Sequence, residues 1–231
     1  MQLHLQLNLE RDTAFGRGEG LAGLLDDEVE YDVATGLPFV RGRTLKGLLV
    51  EECANLLFAV EQANHAALAR LETAAGRLFG RAGSGLEDQA LLHIGPGLLP
   101  ADLRAAVEHE IRSERKTHAE RLLPADVLNS LTAIRRQTAV NATTGAPEEG
   151  SLRSLRVVLR QTNFQAQLDF DVDPQLDDLA LLAACVLCLR RAGLNRNRGL
   201  GRLNARLMQD TEDKTMEHFG NFRQLVKGSV P

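Results

Sequence analysis

The chain has 231 residues, of which 44% are hydrophobic and 25% are charged, and its formal net charge at neutral pH is −4. That length and apolar content suffice for one elaborated core, so we expect a single domain over residues 1–231. The acidic balance argues against a protein that coats nucleic acid through bulk charge.

The same sequence disfavours a membrane-bound and a secreted location. No apolar run reaches the roughly 18 residues that a membrane-spanning helix needs, so we expect no membrane association. The first residues alternate apolar and polar side chains, which is typical of a strand and not of a signal peptide. Three cysteines do not make a disulfide framework, and a reducing cytoplasm is the simplest compartment.

The first half of the chain predicts one strand, two helices and a short second strand. Alternating leucines over residues 2–9 predict a half-buried strand, and residues 35–38 (Thr-Gly-Leu-Pro) predict a turn. Thr44 is the expected cap of a long helix that runs to residue 62. A second helix is predicted from about residue 66 to residue 79, followed by a short strand at 91–94.

The second half predicts an exposed helix at 102–121, a loop or hairpin at 133–151, and one long strand or two strands from 151 to 173. An apolar helix at 176–192 and a strand at 203–208 follow, and the polar tail after residue 210 is expected to be only partly ordered. This order predicts an α+β fold with a ferredoxin-like (RRM-like) βαββαβ core.

The arginines are clustered. There are 23 Arg and only 4 Lys, a ratio that a GC-rich genome would also produce, so only their positions are informative. Arg binds phosphate through a planar fork and stacks on bases, so local clusters can bind RNA on an acidic protein. The clusters are Arg41/Arg43, Arg112/Arg115/Arg121, Arg135/Arg136, Arg153/Arg156/Arg160, and the six between Arg190 and Arg206.

Several enzyme and metal motifs are absent or incomplete. Cys185 and Cys188 have zinc-ligand spacing, but they lie in an apolar helix without a second cysteine pair, which favours a core role. The histidines are scattered, and neither a hydrolase serine motif nor a phosphate-binding loop of NTPases occurs.

Two motifs predict anion binding at the ends of helices. At residues 35–49, Gly42 is expected to allow a tight turn, and the amides of the first helical turn, with Thr44 and Lys46, are expected to face an anion beside Arg41 and Arg43. At residues 192–203 the sequence AGLNRNRGLGRL combines glycines, which allow close approach to a phosphate, with Asn195 and three arginines. Its RNA-binding candidates are Asn195, Arg196, Arg198, Gly199, Gly201 and Arg202.

These two motifs, with Arg77-Leu78-Phe79-Gly80 and the segment 134–147 that contains Arg135 and Arg136, resemble in order the motifs of the RAMP superfamily. The chain is similar to the repeated backbone subunit (Csm/Cmr type) of a type III CRISPR effector complex. The resemblance implies a palm core at about 1–60 and 152–209, a helical insertion at 61–130, a thumb-like β-hairpin at 131–151 and a polar tail at 210–231. It implies CRISPR guide RNA, complementary target RNA, copies of the chain and other effector subunits as partners, in a prokaryotic cytoplasm.

The resemblance also implies a nuclease site. In catalytic relatives an Asp precedes the Gly-Leu-Pro turn, and the matching position here is Asp26, with Asp27 beside it. Asp26 would hold a divalent metal, Mg or Mn, that is needed for cleavage through the ribose 2′-hydroxyl but not for binding. The surroundings, Leu25-Asp26-Asp27-Glu28-Val29, lack the family's usual Pro.

Three other functions stay open at this point. The first is a non-catalytic backbone or end-cap subunit of the same kind of complex. The second is a repeat-processing endoribonuclease, for which His65 is the candidate base. The third is a scaffold that contacts only proteins, and it predicts no salt-dependent affinity for RNA.

Overall fold

The computed structural model describes residues 2–18, 20, 25–63, 66–81, 85, 88–113, 121–141 and 143–227. His65, the candidate base of a processing nuclease, lies outside these residues, as do residues 114–120 of the predicted exposed helix. The helices are α1 Gly42–Gln62, α2 Leu68–Phe79, α3 Ala101–Arg112, α4 Pro124–Leu131, α5 Leu176–Cys188 and α6 Thr215–Lys227. The strands are β1 Leu3–Leu9, β2 Leu92–Ile94, β3 Thr132–Gln137, β4 Arg153–Val158, β5 Asn163–Phe170, β6 Leu203–Gln209 and β7 Glu212–Asp213.

The main sheet has the strand order β2-β5-β1-β6-β7, and all of its pairings are antiparallel. β1 lies at the centre, between β5 and β6. Without the short β7, this is the order of a ferredoxin-like βαββαβ unit. The predicted fold class is therefore confirmed.

The core lies on one face of this sheet. The four leucines of β1 are buried there, and α1, α2 and α5 pack over them. Every residue from Asp178 to Val186 in α5 is buried, which explains why that helix is apolar on all sides. Cys185 lies in this buried run, as its interpretation as a core residue predicted, whereas Cys188 at the end of the helix is only partly buried. Cys53 of α1 is also buried.

A second, two-stranded sheet is formed by β3 and β4, which we call the hairpin (Thr132–Val158). The prediction of a hairpin in this region is confirmed. The apolar stretch from 151 to 173 is two strands in different sheets, because β4 pairs with β3 while β5 pairs with β1 and β2. The hairpin therefore extends to Val158, beyond the limit of 151 expected from its sparse apolar content.

The start of α1 differs from the prediction. The helix begins at Gly42 with Arg41 at the N-cap position, and no side chain caps it, so the expected cap at Thr44 is wrong. Thr44 instead lies exposed in the first turn. Gly42 is required by close packing and not by turn geometry, because a Cβ there would lie 2.0 Å from the carbonyl oxygen of Ile94.

The C-terminal tail is also more ordered than expected. After the short β7, α6 packs against α5 and buries Thr215, His218 and Phe222. The prediction of a partly ordered tail is therefore wrong for residues 212–227. No helix in the described part of the chain is long and apolar enough to cross a membrane.

Candidate nucleic-acid interface

A cavity of about 780 Å³ opens between the hairpin and the glycine-rich loop, by which we mean residues 193–202. The cavity brings together three segments that are far apart in sequence. Its polar and charged lining comprises Asp27, Gln137, Thr138, Glu148, Ser151, Arg153, Asn195, Arg196, Asn197 and Arg198. We call it the interface cavity.

The shape of the glycine-rich loop depends on three glycines with positive φ. Gly193 and Gly201 have φ values of 82° and 77°, and a Cβ at these positions would lie 2.5 Å and 2.0 Å from the carbonyl oxygens of Ala14 and Ala192. Gly199 has φ 86° but open space around it. Two of these glycines therefore fix the loop against the core, and the third leaves backbone exposed at its tip.

Side chains hold the loop between the hairpin and α1. Asn195, in the left-handed region at φ 55°, donates from Nδ2 to Gln137 Oε1 at 3.2 Å. Arg196 donates to both carboxylate oxygens of Glu51 on α1, at 3.0 and 2.6 Å. These hydrogen bonds hold the pKa of Glu51 below its ordinary value. Two predicted RNA-binding side chains are thus engaged by the protein itself.

The segment with the predicted catalytic carboxylates lies along β4. Asp26 donates its amide to the Ser154 carbonyl at 2.8 Å, and its carboxylate accepts the Ser154 amide at 2.6 Å. The Asp27 carbonyl accepts the Arg156 amide at 3.0 Å. Asp26 is exposed and 4.0 Å from Arg153, whereas the half-buried Asp27 lines the interface cavity.

A buried ion pair supports this segment from beneath. Glu28 is 1% exposed and its Oε1 lies 2.9 Å from Arg156 Nε. Arg156 also donates to Asn129 and Thr132, each at 3.1 Å. The segment that carries Asp26 and Asp27 is therefore fixed to the hairpin by both backbone and side-chain contacts.

The candidates at the start of α1 form a separate patch, since Arg41, Arg43, Thr44 and Lys46 are not among the described residues that line the interface cavity. Arg41 forms an ion pair with Glu30. Arg43 is exposed, and partial burial lowers the pKa of Lys46. The structure therefore divides the predicted site into two regions.

The remaining candidates lie on the hairpin and at the start of β6. Arg135 donates from Nε to Asp12 at 3.0 Å, and Arg136 is exposed. Arg202 Nε lies 2.6 Å from Glu10 Oε2. On its α1 side, the glycine-rich loop borders a second cavity of about 310 Å³, which Arg190 and Arg191 help to line.

The uncovered face of the main sheet differs from that of base-stacking RNA-binding domains. Paired residues form polar rows across it, Asn204–Asn8–Asn163 and Arg206–Gln6–Gln165. Phe15 and Phe164, which meet edge-on at 6.0 Å between ring centroids, are buried instead. Stacking on this face is therefore disfavoured.

Sequence reasoning did not assign six of the polar residues that line the interface cavity: Gln137, Thr138, Glu148, Ser151, Arg153 and Asn197. For Arg153 the available signal was its place in the 153/156/160 arginine cluster. Asn197 lies between two assigned arginines. No pattern marked Gln137, because its role depends on a hydrogen bond to a residue 58 positions away.

Metal-binding residues are sparse in the described part of the chain, where no three His, Cys, Asp or Glu side chains group as ligands. Asp26 and Asp27 are neighbours in sequence, but only Asp27 lines the interface cavity, while the Asp26 carboxylate accepts the Ser154 amide. Mg²⁺ keeps several waters and is commonly held by one or two carboxylates with substrate phosphates, so a single carboxylate of this segment fits a cation shared with RNA.

Comparison with known proteins gives a consistent assignment. The family model of the RAMP superfamily matches residues 12–204. A chain of the type III-B Cmr-beta complex in the apo state, solved by cryo-electron microscopy, has a TM-score of 0.59 and 12% identity, covering 91% of this chain and 98% of that chain. A chain of the Cmr-beta complex bound to cognate target RNA has a TM-score of 0.60 and 13% identity, covering 90% and 97%. No curated protein sequence matches significantly.

Proposed function

The chain belongs to the RAMP superfamily, and we propose that it is a guide-RNA-binding backbone subunit of a type III CRISPR ribonucleoprotein. The observation that carries the proposal is the interface cavity. There the arginine-bearing loop, the hairpin and the Asp26–Asp27 strand converge on one groove. Convergent guanidinium and amide donors suit an RNA backbone, and sequence would be read by guide pairing and not by the protein.

The hairpin supplies apolar contacts as well as charge. Ile134, Val140 and Leu152 are exposed by 48%, 61% and 57%. Exposed apolar side chains on a projecting element are suited to insertion between nucleotides, where they replace base stacking. We propose this wedge, with arginine contacts to phosphate, as the binding mode.

The solved structures suggest the partners. The two similar chains come from a type III-B complex, one of them bound to cognate target RNA. We propose that this chain likewise contacts guide RNA, target RNA and other effector subunits, including copies of itself.

We propose further that the Asp26–Asp27 segment positions target RNA for cleavage. Backbone pairing with β4 fixes this segment beside the groove, and Asp27 lines the groove. The ribose 2′-hydroxyl would attack its own phosphodiester, so the protein has chiefly to hold the RNA in line. A divalent cation held by a carboxylate of this segment would stabilise the charge that develops on the phosphate.

The binding proposal is tested by expressing the chain with its neighbouring subunits and a CRISPR array, then sequencing the RNA that is recovered. Uniform guide RNAs with several copies of the subunit per complex are expected. A folded chain that recovers no RNA would overturn the proposal and favour a protein-only scaffold.

The cleavage proposal is tested in that assembled complex with Asp26→Ala and Asp27→Ala. We expect target cutting to be lost in at least one variant, while guide content and target affinity are retained. The control is Asp171→Ala, because Asp171 is an exposed acid paired with His93. Unchanged cutting in both variants would leave a non-catalytic backbone or end-cap subunit as the function.

A further inference from the structure

Six of the seven arginines assigned to RNA occur in three neighbouring pairs, and within each pair only one guanidinium is held by a carboxylate of the described residues. The pairs are Arg41/Arg43, Arg135/Arg136 and Arg196/Arg198. The held members bond to Glu30, Asp12 and Glu51. Arg43, Arg136 and Arg198 are exposed, and none of the three has an ion pair or side-chain hydrogen bond within the described residues.

The held members connect separate segments. Glu30 lies in the segment before the turn at residues 33–35, and Arg41 is the N-cap residue of α1. Asp12 follows β1, and it accepts both Arg135 on the hairpin and the Arg160 amide at 3.1 Å. Glu51 on α1 holds Arg196 of the glycine-rich loop. Each pair therefore fixes the orientation of a surface element.

The unpaired arginine of each pair lies one or two residues from the held arginine, but its surroundings differ. Arg135 and Arg136 are neighbours on a strand, so their side chains leave opposite faces. Arg196 and Arg198 both line the interface cavity, but Arg196 is bonded to Glu51 whereas Arg198 has no side-chain partner among the described residues. Arg43 lies in the first turn of α1, where amide groups favour an anion.

The held and the unpaired arginines differ in the net positive charge that they offer to RNA. A guanidinium already paired with a carboxylate adds little net charge, and a phosphate near it also meets the carboxylate. An unpaired guanidinium adds a full charge and displaces counterions from RNA. Within these three pairs, the positive charge available to RNA is therefore that of Arg43, Arg136 and Arg198.

We propose that Arg43, Arg136 and Arg198 contact RNA phosphates, whereas Arg41, Arg135 and Arg196 are positioning residues that hold the binding elements in place. This inference rests on the proposed RNA-binding function and divides its predicted contacts. It also assigns Glu30, Asp12 and Glu51 as partners that the binding surface requires.

The test measures the affinity of the full chain for a fluorescently labelled single-stranded RNA over a range of salt concentrations. The unpaired members are changed in Arg43→Gln, Arg136→Gln and Arg198→Gln. The matched controls are Arg41→Gln, Arg135→Gln and Arg196→Gln. Each loss of a phosphate contact should reduce the slope of log affinity against log salt by about 0.7.

We expect the reduced slope in the first three variants only. The controls should keep the wild-type slope even where the overall affinity falls. Equal reductions in both sets would overturn the division while leaving RNA binding intact. A folded wild-type chain without salt-dependent affinity would overturn the proposed function, and with it this division.

A charge exchange separates positioning from direct contact. Arg196→Glu should weaken RNA binding, and adding Glu51→Arg should restore most of the affinity by re-forming the bond with reversed polarity. A phosphate contact at Arg196 would not be rescued in this way, because the guanidinium then lies on α1. Failure of the double variant to recover, with thermal stability at the wild-type level, would overturn the positioning role.

Discussion

Arg156 on β4 and Glu28, in the segment that carries Asp26 and Asp27, form an ion pair with 2.9 Å between Arg156 Nε and Glu28 Oε1, although they are far apart in sequence. Both side chains are largely removed from water, at 12% and 1% exposure. Glu28 directly follows Asp26 and Asp27. The pair therefore links the stability of the hairpin to the position of the proposed catalytic carboxylates.

Removing one partner of this pair should destabilise the protein. Glu28→Leu leaves the Arg156 charge without its carboxylate, which costs about 3–5 kcal/mol in comparable sites. We expect urea unfolding to show this loss in the free energy of unfolding. We also expect faster hydrogen exchange at the Ser154 and Arg156 amides, which bond to Asp26 and Asp27. In the double variant Glu28→Leu/Arg156→Met no charge is left unpaired, so the loss should be smaller. An equal or larger loss in the double variant would show that packing, not charge, dominates there.

The glycine-rich loop offers a second prediction. Gly199 has open space around it, so Gly199→Ala should destabilise the protein only through its positive φ, by about 1–2 kcal/mol. Gly201→Ala adds a clash with the Ala192 carbonyl, so we expect a further loss of about 1–3 kcal/mol. Thermal unfolding of the two variants checks the order. Equal losses would mean that the loop moves away from Ala192 without cost.

Periodicity and turn residues predicted the central fold. Alternating leucines identified β1, and the apolar run at 176–192 identified α5, although the helix ends at Cys188. Gly80 marked the end of α2, as its C-cap position confirms. These features depend on neighbours in the chain, so a single sequence contains them.

Features that depend on distant contacts could not be predicted. The split of the 151–173 stretch between two sheets depends on which strands pair, and both halves look extended in sequence. The ion pairs of Arg135 and Arg196 join residues 123 and 145 positions apart. The order of α6 was overlooked, although Thr215, His218 and Phe222 have the spacing of a buried helical stripe.

Two ion pairs join α2 to α5, and they differ in how deeply the carboxylate is buried. Arg77 donates to Asp178, which is fully buried, and Arg70 donates to the more exposed Asp177. Arg77→Ala leaves a buried carboxylate without its cation, so we expect a loss of about 3–5 kcal/mol. Arg70→Ala should cost under about 1 kcal/mol. Denaturant unfolding measures both, and similar losses would contradict the role assigned to burial.

The stability of the protein should fall in acid because of His218 on α6. The side chain is 8% exposed, and neither ring nitrogen has a hydrogen-bond partner in the described structure. Burial lowers its pKa below the ordinary value of 6.5, against an opposing effect of Glu217. The folded state therefore binds fewer protons than the unfolded chain once the pH falls toward and below about 6.5. Stability from the neutral ring is present above that pH and is lost progressively as pH falls through the lower, folded pKa.

The measurement is thermal unfolding across this pH range for the wild type and for His218→Phe, which keeps a ring but removes the titration. We expect a smaller drop in melting temperature toward acid in His218→Phe. His4, whose pKa burial also lowers, contributes equally to both proteins and cancels in the comparison. An identical acid dependence in the wild type and His218→Phe would show that α6 accommodates the charged ring, for example by moving away from α5.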